Sequence, residues 1–496
     1  MKRLFDRFKR PIALMMCLLM LPFSAVSLWG CGSKEDGDEI VLRVSNWEEY
    51  IDLGDWDEED TIELEDGTVI FPEQSLVEDF EDWFYETYGK KVRVEYSTFG
   101  TNEELYNQIT LGDSYDLVCP SEYMIMKMME EDMLTPYSEG FYDKSVEENY
   151  YTKNVSSYIN NVFKGLEFGG ETLDKYAAGY MWGTLGIVYN PEEVSEDEAA
   201  HWNILLNDKF RKQITIKDSV RDAYVAGVSI LYYDALTKEE FIKGDNYNER
   251  LTRLLNSTDK KTVDGVETIL SKIKDNVYAF ETDSGKADLV TGKVVANQQW
   301  SGDAVYTLDQ AEEEGRELCY SVPEEASNIW FDGWVMLKDS VEGDDDKRLA
   351  AEAFVNYVSM EENAIRNMMY IGYTSTISGD LMFQYADWCY GADVEEAEDE
   401  GEELIEYNLD YFFAKEDEED IASLDRAEEG EVEAEESDYT IVAYADQANR
   451  QLFAQYPPLE VMERCAVMAY FNKEDNAYIN RMWTNVRCFD LNSLFE

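Results

Sequence analysis

The chain has 496 residues, with 107 Asp+Glu against 42 Lys+Arg and a formal net charge of −65 at pH 7. Hydrophobic residues make up 45% and aromatics 14%, which excludes a chain disordered throughout, and the length allows roughly two to four domains. The acid excess excludes a general nucleic-acid binder and docking on anionic lipid through a basic patch; it permits a cationic ligand without requiring one.

Lys2, Arg3, Arg7, Lys9 and Arg10 precede an apolar stretch from Pro11 to Trp29, the layout of an export signal. Residues 1–30 read as a lipoprotein signal peptide, because Gly30-Cys31 resembles the bacterial lipobox, where the cysteine acquires lipid. A plain transmembrane anchor is the alternative. Either reading exports the bulk of the chain, as a periplasmic protein or one held on the outer face of the cell membrane, with residues 31–39 as a polar tether. Cys119, Cys319, Cys389, Cys465 and Cys488 are scattered, and His201 is the sole histidine, so no zinc site or His-based triad is expected. Cys119 reads as a buried structural residue, and pairing of Cys465 with Cys488 stays open.

Val41 to Val44 alternates as a strand and runs into Asn46-Trp47-Glu48-Glu49-Tyr50. Residues 55–66 carry eight acids and read as an exposed excursion. Ser75 to Tyr88 puts Leu76, Phe80, Trp83, Phe84 and Tyr88 on one helical face, with Gly89 as its stop. A strand at 91–96, a helix at 102–111 and a short apolar strand at 115–119 complete a βαβαβ run, the pattern of an α/β domain with a mostly parallel sheet. The pattern resumes with strands at 180–189, 212–217, 294–300 and 328–337 and helices near 223–236, 303–315 and 347–358. Ser359 and Glu362 are expected to form a capping box for a helix ending at Ile371-Gly372-Tyr373. Residues 393–438 hold 23 acids and two bases and read as an exposed insertion, although Leu409–Phe413 is apolar enough to dock or to form a short helix.

The chain has no GxSxG elbow, P-loop, HExxH motif or GxGxxG after a strand, so a non-enzyme with no cofactor and no metal is expected. What stands out is aromatic residues beside acids at the predicted strand ends: Trp47-Glu48-Glu49-Tyr50, Ser121-Glu122-Tyr123, Ser219–Asp222, Trp300, and Trp330-Phe331-Asp332. In open α/β sheets the ligand crevice lies outside the carboxyl ends of the strands. Carboxylates there would pair with ammonium groups, and aromatic walls would add cation–π attraction of roughly 0.5–2 kcal/mol each. Taken singly, each tryptophan is more often core packing and each acid a helix cap. The combination suits an elongated organic cation.

The stretches VSNWEEYI, EYSTFGTNEELY, YDLVCPSEYMIMKM, YMWGTLGIVYNP, KDSVRDAY, VYAFETDSG, QQWSGDA, IWFDGWVML and IGYTST, in that order, resemble the spermidine/putrescine-binding proteins of bacterial polyamine ABC transporters. The resemblance covers most of residues 41–376 and, more weakly, about 455–487. It implies a two-lobed α/β fold of the type II periplasmic-binding-protein kind, with a hinge and a central ligand cleft. Lobe 1 would comprise residues 40–186 plus 329–385, lobe 2 residues 187–328 plus 440–496, and the acidic insertion residues 390–439. It further implies Glu49, Asp222 and Asp332 as carboxylates holding amines, Trp300, Trp330, Tyr123 and Tyr373 as the aromatic box, and Trp47 and Ser121 as further lining. Ser219 stands where many members have a second acid, and Glu48 where a small hydroxyl residue is common.

The expectation is a monomeric, extracytoplasmic solute receptor, lipid-anchored at Cys31, that captures putrescine or spermidine and delivers it to an ABC permease. The alternatives are the same fold binding ferric iron, a sugar or an amino-acid derivative, or a surface adhesion lipoprotein whose working part is the acidic insertion.

Overall fold

The computed structural model describes residues 39–54, 56–57, 60–415 and 439–488. The expected signal peptide, Cys31 and residues 416–438 of the acidic insertion lie outside them. Among the described residues no helix is long and apolar enough to cross a membrane.

The first half alternates strand and helix: β1 (Glu39–Trp47), α1 (Leu76–Tyr88), β2 (Lys91–Phe99), α2 (Asn102–Leu111), β3 (Leu117–Val118) and α3 (Glu122–Glu130). Local chemistry sets the helix ends. The Ser75 side chain accepts from the Glu78 amide while Glu78 returns the contact, and Gly89 closes α1 at φ 65°, a left-handed turn that glycine enters without a Cβ penalty. Leu76, Phe80 and Phe84 fall on the buried face of α1, as the spacing predicts. The long strand β4 (Ala177–Tyr189) leads to β5 (Ile214–Lys217), α4 (Val220–Leu231), α5 (Lys260–Asn276), β6 (Ala279–Glu281), β7 (Ala296–Trp300) and α6 (Ser301–Glu313). A second long strand, β8 (Ser327–Leu337), then returns to α7 (Asp345–Val358) and α8 (Glu361–Ile371).

The main path of the sheet runs β6-β5-β7-β4-β8-β3-β1-β2. β1 pairs in parallel with β2 and β3, and β5 pairs in parallel with β6 and β7. β4 and β8 are antiparallel to each other and join the two parallel groups. Both are buried along their whole length and therefore read as continuous apolar runs. The apolar core changes hands along these two strands. Trp182 and Ile329 belong to one cluster with β1–β3, whereas Leu185 and Ala326 belong to a second with β5 and α4. Two α/β lobes thus share a pair of crossing strands, and the carboxyl ends of β1, β3, β5 and β7 face the line between them.

Four expectations are corrected. Residues 441–456, expected in lobe 2, are divided: Ile441, Ala443, Leu452 and Tyr456 belong to the first core, because strand Thr440–Tyr444 pairs with Leu404–Asn408, whereas Phe453 and Ala454 pack with Val305 and Leu308 of α6 as expected. Within the acidic insertion, the Leu409–Phe413 core docks and forms a short helix as its sequence allowed, fully burying Leu409, Phe412 and Phe413 against Trp182 and Tyr456. What is corrected is the loosely exposed reading of the residues around it, where strand Leu404–Asn408 pairs with Thr440–Tyr444. The acidic stretch 55–66 likewise tucks Trp56, Ile62 and Leu64 into the first core, with Ile62 paired to Ile70. The Ser359/Glu362 capping box does not form: the Ser359 hydroxyl donates to the Val355 carbonyl one turn back, and Met360 occupies the cap of α8. Cys465 and Cys488 are both free.

Candidate functional site

Asp332 sits at an irregularity in the β4–β8 pairing, where the register shifts between Asp332 and Gly333. Such irregularities re-aim a side chain out of the ladder. Because strand side chains alternate, Trp330 and Asp332 share one face while Phe331 packs on the other, edge-on to Phe163. Ser121, just beyond β3, forms a bridge with Asp332 and donates its hydroxyl to Asp332 Oδ1 at 2.7 Å. Asn102 fixes that serine: its amide nitrogen donates to Ser121 Oγ and to Tyr123 Oη, each at 3.0 Å, and its Oδ1 accepts the Ser121 N–H at 3.0 Å. Tyr50 turns its buried hydroxyl toward Asp332, near enough to favour the carboxylate although outside strict hydrogen-bond geometry.

Asp332 is 6% exposed and has no ion-pair partner among the described residues. Burial pushes its carboxyl up to about 7, against the hydrogen bonds that favour the ionised form. Glu122 lies behind it, fully buried. Its Oε2 accepts the Phe331 N–H at 3.0 Å, its Oε1 has no partner, and burial raises its carboxyl to about 8.

On the opposite lobe, the Trp300 indole N–H donates to Asp222 Oδ1 at 3.3 Å. Ser219 caps α4 by accepting the Asp222 N–H, so the side chain that replaces the second acid of the resembling family has a structural use. Burial also raises the Asp222 carboxyl, opposed by Ser219, Trp300, Lys217 and Arg221. Next to this group, Asp303 on α6 binds Lys217 Nζ at 2.8 Å and Lys286 Nζ at 3.3 Å. Although burial acts against it, the two lysines hold Asp303 down at about 2.

Aromatic residues join the halves. Tyr373, which follows α8 on lobe 1, donates its hydroxyl to Asp303 Oδ1 of lobe 2 at 2.9 Å. Its ring lies 5.7 Å from Trp330 and 5.2 Å, edge-on, from Tyr50. Glycine makes the fit: a Cβ at Gly302 would overlap the Tyr373 ring, and one at Gly183 would approach Trp330 within 2.6 Å. On the other side the Arg221 guanidinium of lobe 2 sits 5.2 Å over the Tyr123 ring of lobe 1.

The structure therefore brings Ser121, Tyr123, Trp330, Asp332 and Tyr373 together and sets Asp222 and Trp300 beside them across the lobes. Trp47 lies at the end of β1, its ring 4.8 Å from Phe99 and its buried indole N–H without a partner. Glu49 stands apart from these hydrogen bonds, exposed on a turn at φ 54°, and bears electrostatically on Tyr306 of lobe 2. Sequence reasoning missed Asn102 and Asp303, and gave no role to Tyr50 and Glu122 within the stretches it singled out. Their signal was proximity to strand ends, in NWEEY, GTNEE, PSEY and WSGD, but each owes its role to a partner distant along the chain.

The model of the bacterial extracellular solute-binding protein family matches residues 75–379. The spermidine/putrescine-binding periplasmic protein of Salmonella typhimurium is 24% identical over 315 residues, covering 63% of this chain and 72% of the relative. A putrescine-binding periplasmic protein of Pseudomonas aeruginosa is 26% identical over 344 residues, covering 67% and 77%. Among solved structures, the substrate-binding protein of a spermidine/putrescine ABC transporter from Streptococcus pneumoniae superposes with a TM-score of 0.55 at 24% identity, covering 90% of this chain and 98% of that one. Two lobes on shared crossing strands, with buried acids and aromatics between them, agree with that fold, and the chain belongs to the bacterial extracellular solute-binding proteins.

Proposed function

We propose that this chain captures a linear polyamine and hands it to a membrane ABC permease. The observation that carries this reading is Asp332, a buried carboxylate without a protein cation among the described residues and next to Trp330, Tyr373 and Tyr50. An alkylammonium meets both demands of such a site. Its charge compensates the carboxylate, and its methylenes cover aromatic faces whose burial is worth about 25 cal/mol per Å². The unpartnered indole N–H groups of Trp47 and Trp330 need an acceptor that an ammonium lacks and that water carried in with the ligand would supply. Asp222 receives the second amine, with Trp300 as its wall. The names of the two relatives support the same ligand class.

Ligand contacts on both lobes favour the closed arrangement, which is what a permease would read. Lipid at Cys31 would keep the receptor at the membrane. A thermal-shift screen of the exported chain tests the ligand class. Putrescine, spermidine or spermine should raise the melting temperature, whereas sugars, amino acids and ferric citrate should not. A shift from those solutes and none from any amine would overturn the reading.

A further inference from the structure

Lys217 plays no part in the ligand site as described, yet it is 1% exposed at the carboxyl end of β5, where the cleft begins. Its ammonium donates to Asp303 at 2.8 Å and to the Thr282 carbonyl at 2.9 Å, and it lies 4.3 Å over the Trp300 ring. It also bears electrostatically on Asp222, as does Arg221. A protein cation thus already occupies one face of the aromatic wall and shares the field of the lobe 2 carboxylate. Asp303 is matched by Lys217 and Lys286 together. Asp332, on lobe 1, has no such cation.

We infer that Lys217 sets how many positive charges the ligand carries: its fixed ammonium stands in for one amine at the Trp300 pole, so the site selects a diamine over a triamine. A diamine places one ammonium at Asp332 and the other at Asp222. A further ammonium in the same cleft would be desolvated near the Lys217 charge, and like charges a few ångströms apart in a buried site repel strongly. The inference rests on the polyamine reading and names the ligand within that class.

The test is calorimetry of the exported chain with putrescine and spermidine. Wild type should bind putrescine more tightly. Lys217→Met should move the ratio of the two Kd values at least tenfold toward spermidine, and Lys217→Arg should leave the ratio in place. The double variant Lys217→Gln with Asp303→Asn removes both charges of the buried pair, leaves Lys286 paired with Asp283, and should shift the ratio in the same direction. A wild type that prefers spermidine overturns the inference whatever the variants do, as does a ratio that stays fixed in a folded Lys217→Met or double variant. Those results leave the polyamine reading standing. Failure of the wild type to bind either amine overturns both.

Discussion

Asp332 is held between two opposing effects. Burial favours the neutral acid, while Ser121 favours the carboxylate, and the balance leaves the group at about 7 when its ordinary value is 3.8. For a carboxyl raised on folding, the stabilising contribution is complete below the unfolded value and is lost as pH rises through the folded one. The ligand-free protein should therefore lose the Asp332 contribution between about pH 4 and 7, with Glu122, raised from 4.5 to about 8, acting in the same direction across that whole interval. Cation binding has the opposite slope because it requires the ionised form. At pH 6 only about a tenth of Asp332 is ionised and at pH 8 about nine-tenths, so amine affinity should rise about tenfold over that interval. Calorimetry in buffers of differing ionisation enthalpy should register proton release near pH 6 that fades by pH 8; a flat profile would remove Asp332 from the site. Asp332→Asn separates binding from stability. It should weaken amine binding by 100-fold or more, in line with about 3–5 kcal/mol for breaking a buried ion pair, yet should not lower the ligand-free melting temperature at pH 8, since it removes an uncompensated buried charge. Unchanged affinity in that variant would refute the assignment.

At the scale of elements, the aromatic contact depends on where side chains are missing. Gly302, the second residue of α6, lets the Tyr373 ring lie against the helix and reach Asp303. Alanine suits a helix better than glycine by about 1 kcal/mol, so Gly302→Ala should leave the melting temperature near that of the wild type. Its methyl would nonetheless displace Tyr373 from Trp330 and Asp303. Amine affinity should fall about tenfold by calorimetry, and retention of full affinity would show that Tyr373 does not wall the ligand. Much of this architecture was legible in the sequence. Alternation put Trp330 and Asp332 on one face of β8, the helical spacing of Leu76, Phe80 and Phe84 marked the buried side of α1, and Gly89 and Gly372 marked helix ends. What escaped depends on long-range pairing. Asp303 looks like any acid in a first helical turn until Lys217, 86 residues earlier, and Tyr373, 70 residues later, are brought against it. Ser359 misled for a local reason, since its hydroxyl had two available acceptors and took the helical carbonyl behind it.

On the scale of the whole molecule, Tyr373 to Asp303 and Arg221 over Tyr123 cross between the lobes on either side of Asp332. The 440–456 segment adds Arg450 and Gln451 to Glu312, and Phe453 and Ala454 packed on α6. The polar contacts set a closed state that a ligand can bias, because opening breaks hydrogen bonds that water replaces at small net cost. The acidic insertion bears on this balance through the described part that packs. Leu409, Phe412 and Phe413 are fully buried on lobe 1, and strand Leu404–Asn408 pairs with Thr440–Tyr444. Losing a buried phenylalanine costs about 3–5 kcal/mol, so excising residues 390–440 would remove more than a typical domain stability of about 5–15 kcal/mol tolerates. Residues 416–438 lie outside the described residues. They hold 13 acids and one base, a charge density that favours solvation over burial. Replacing 416–438 by a short Gly-Ser linker should leave the melting temperature and the equilibrium affinity for amines within threefold of the wild type, while deletion of 390–440 should unfold lobe 1. Association should slow in the linker variant at low salt only, since removing so much negative charge weakens long-range attraction for a cation that salt screens in any case. Loss of equilibrium binding on removal of 416–438 alone would mean that the acidic segment, and not the cleft between the lobes, holds the ligand.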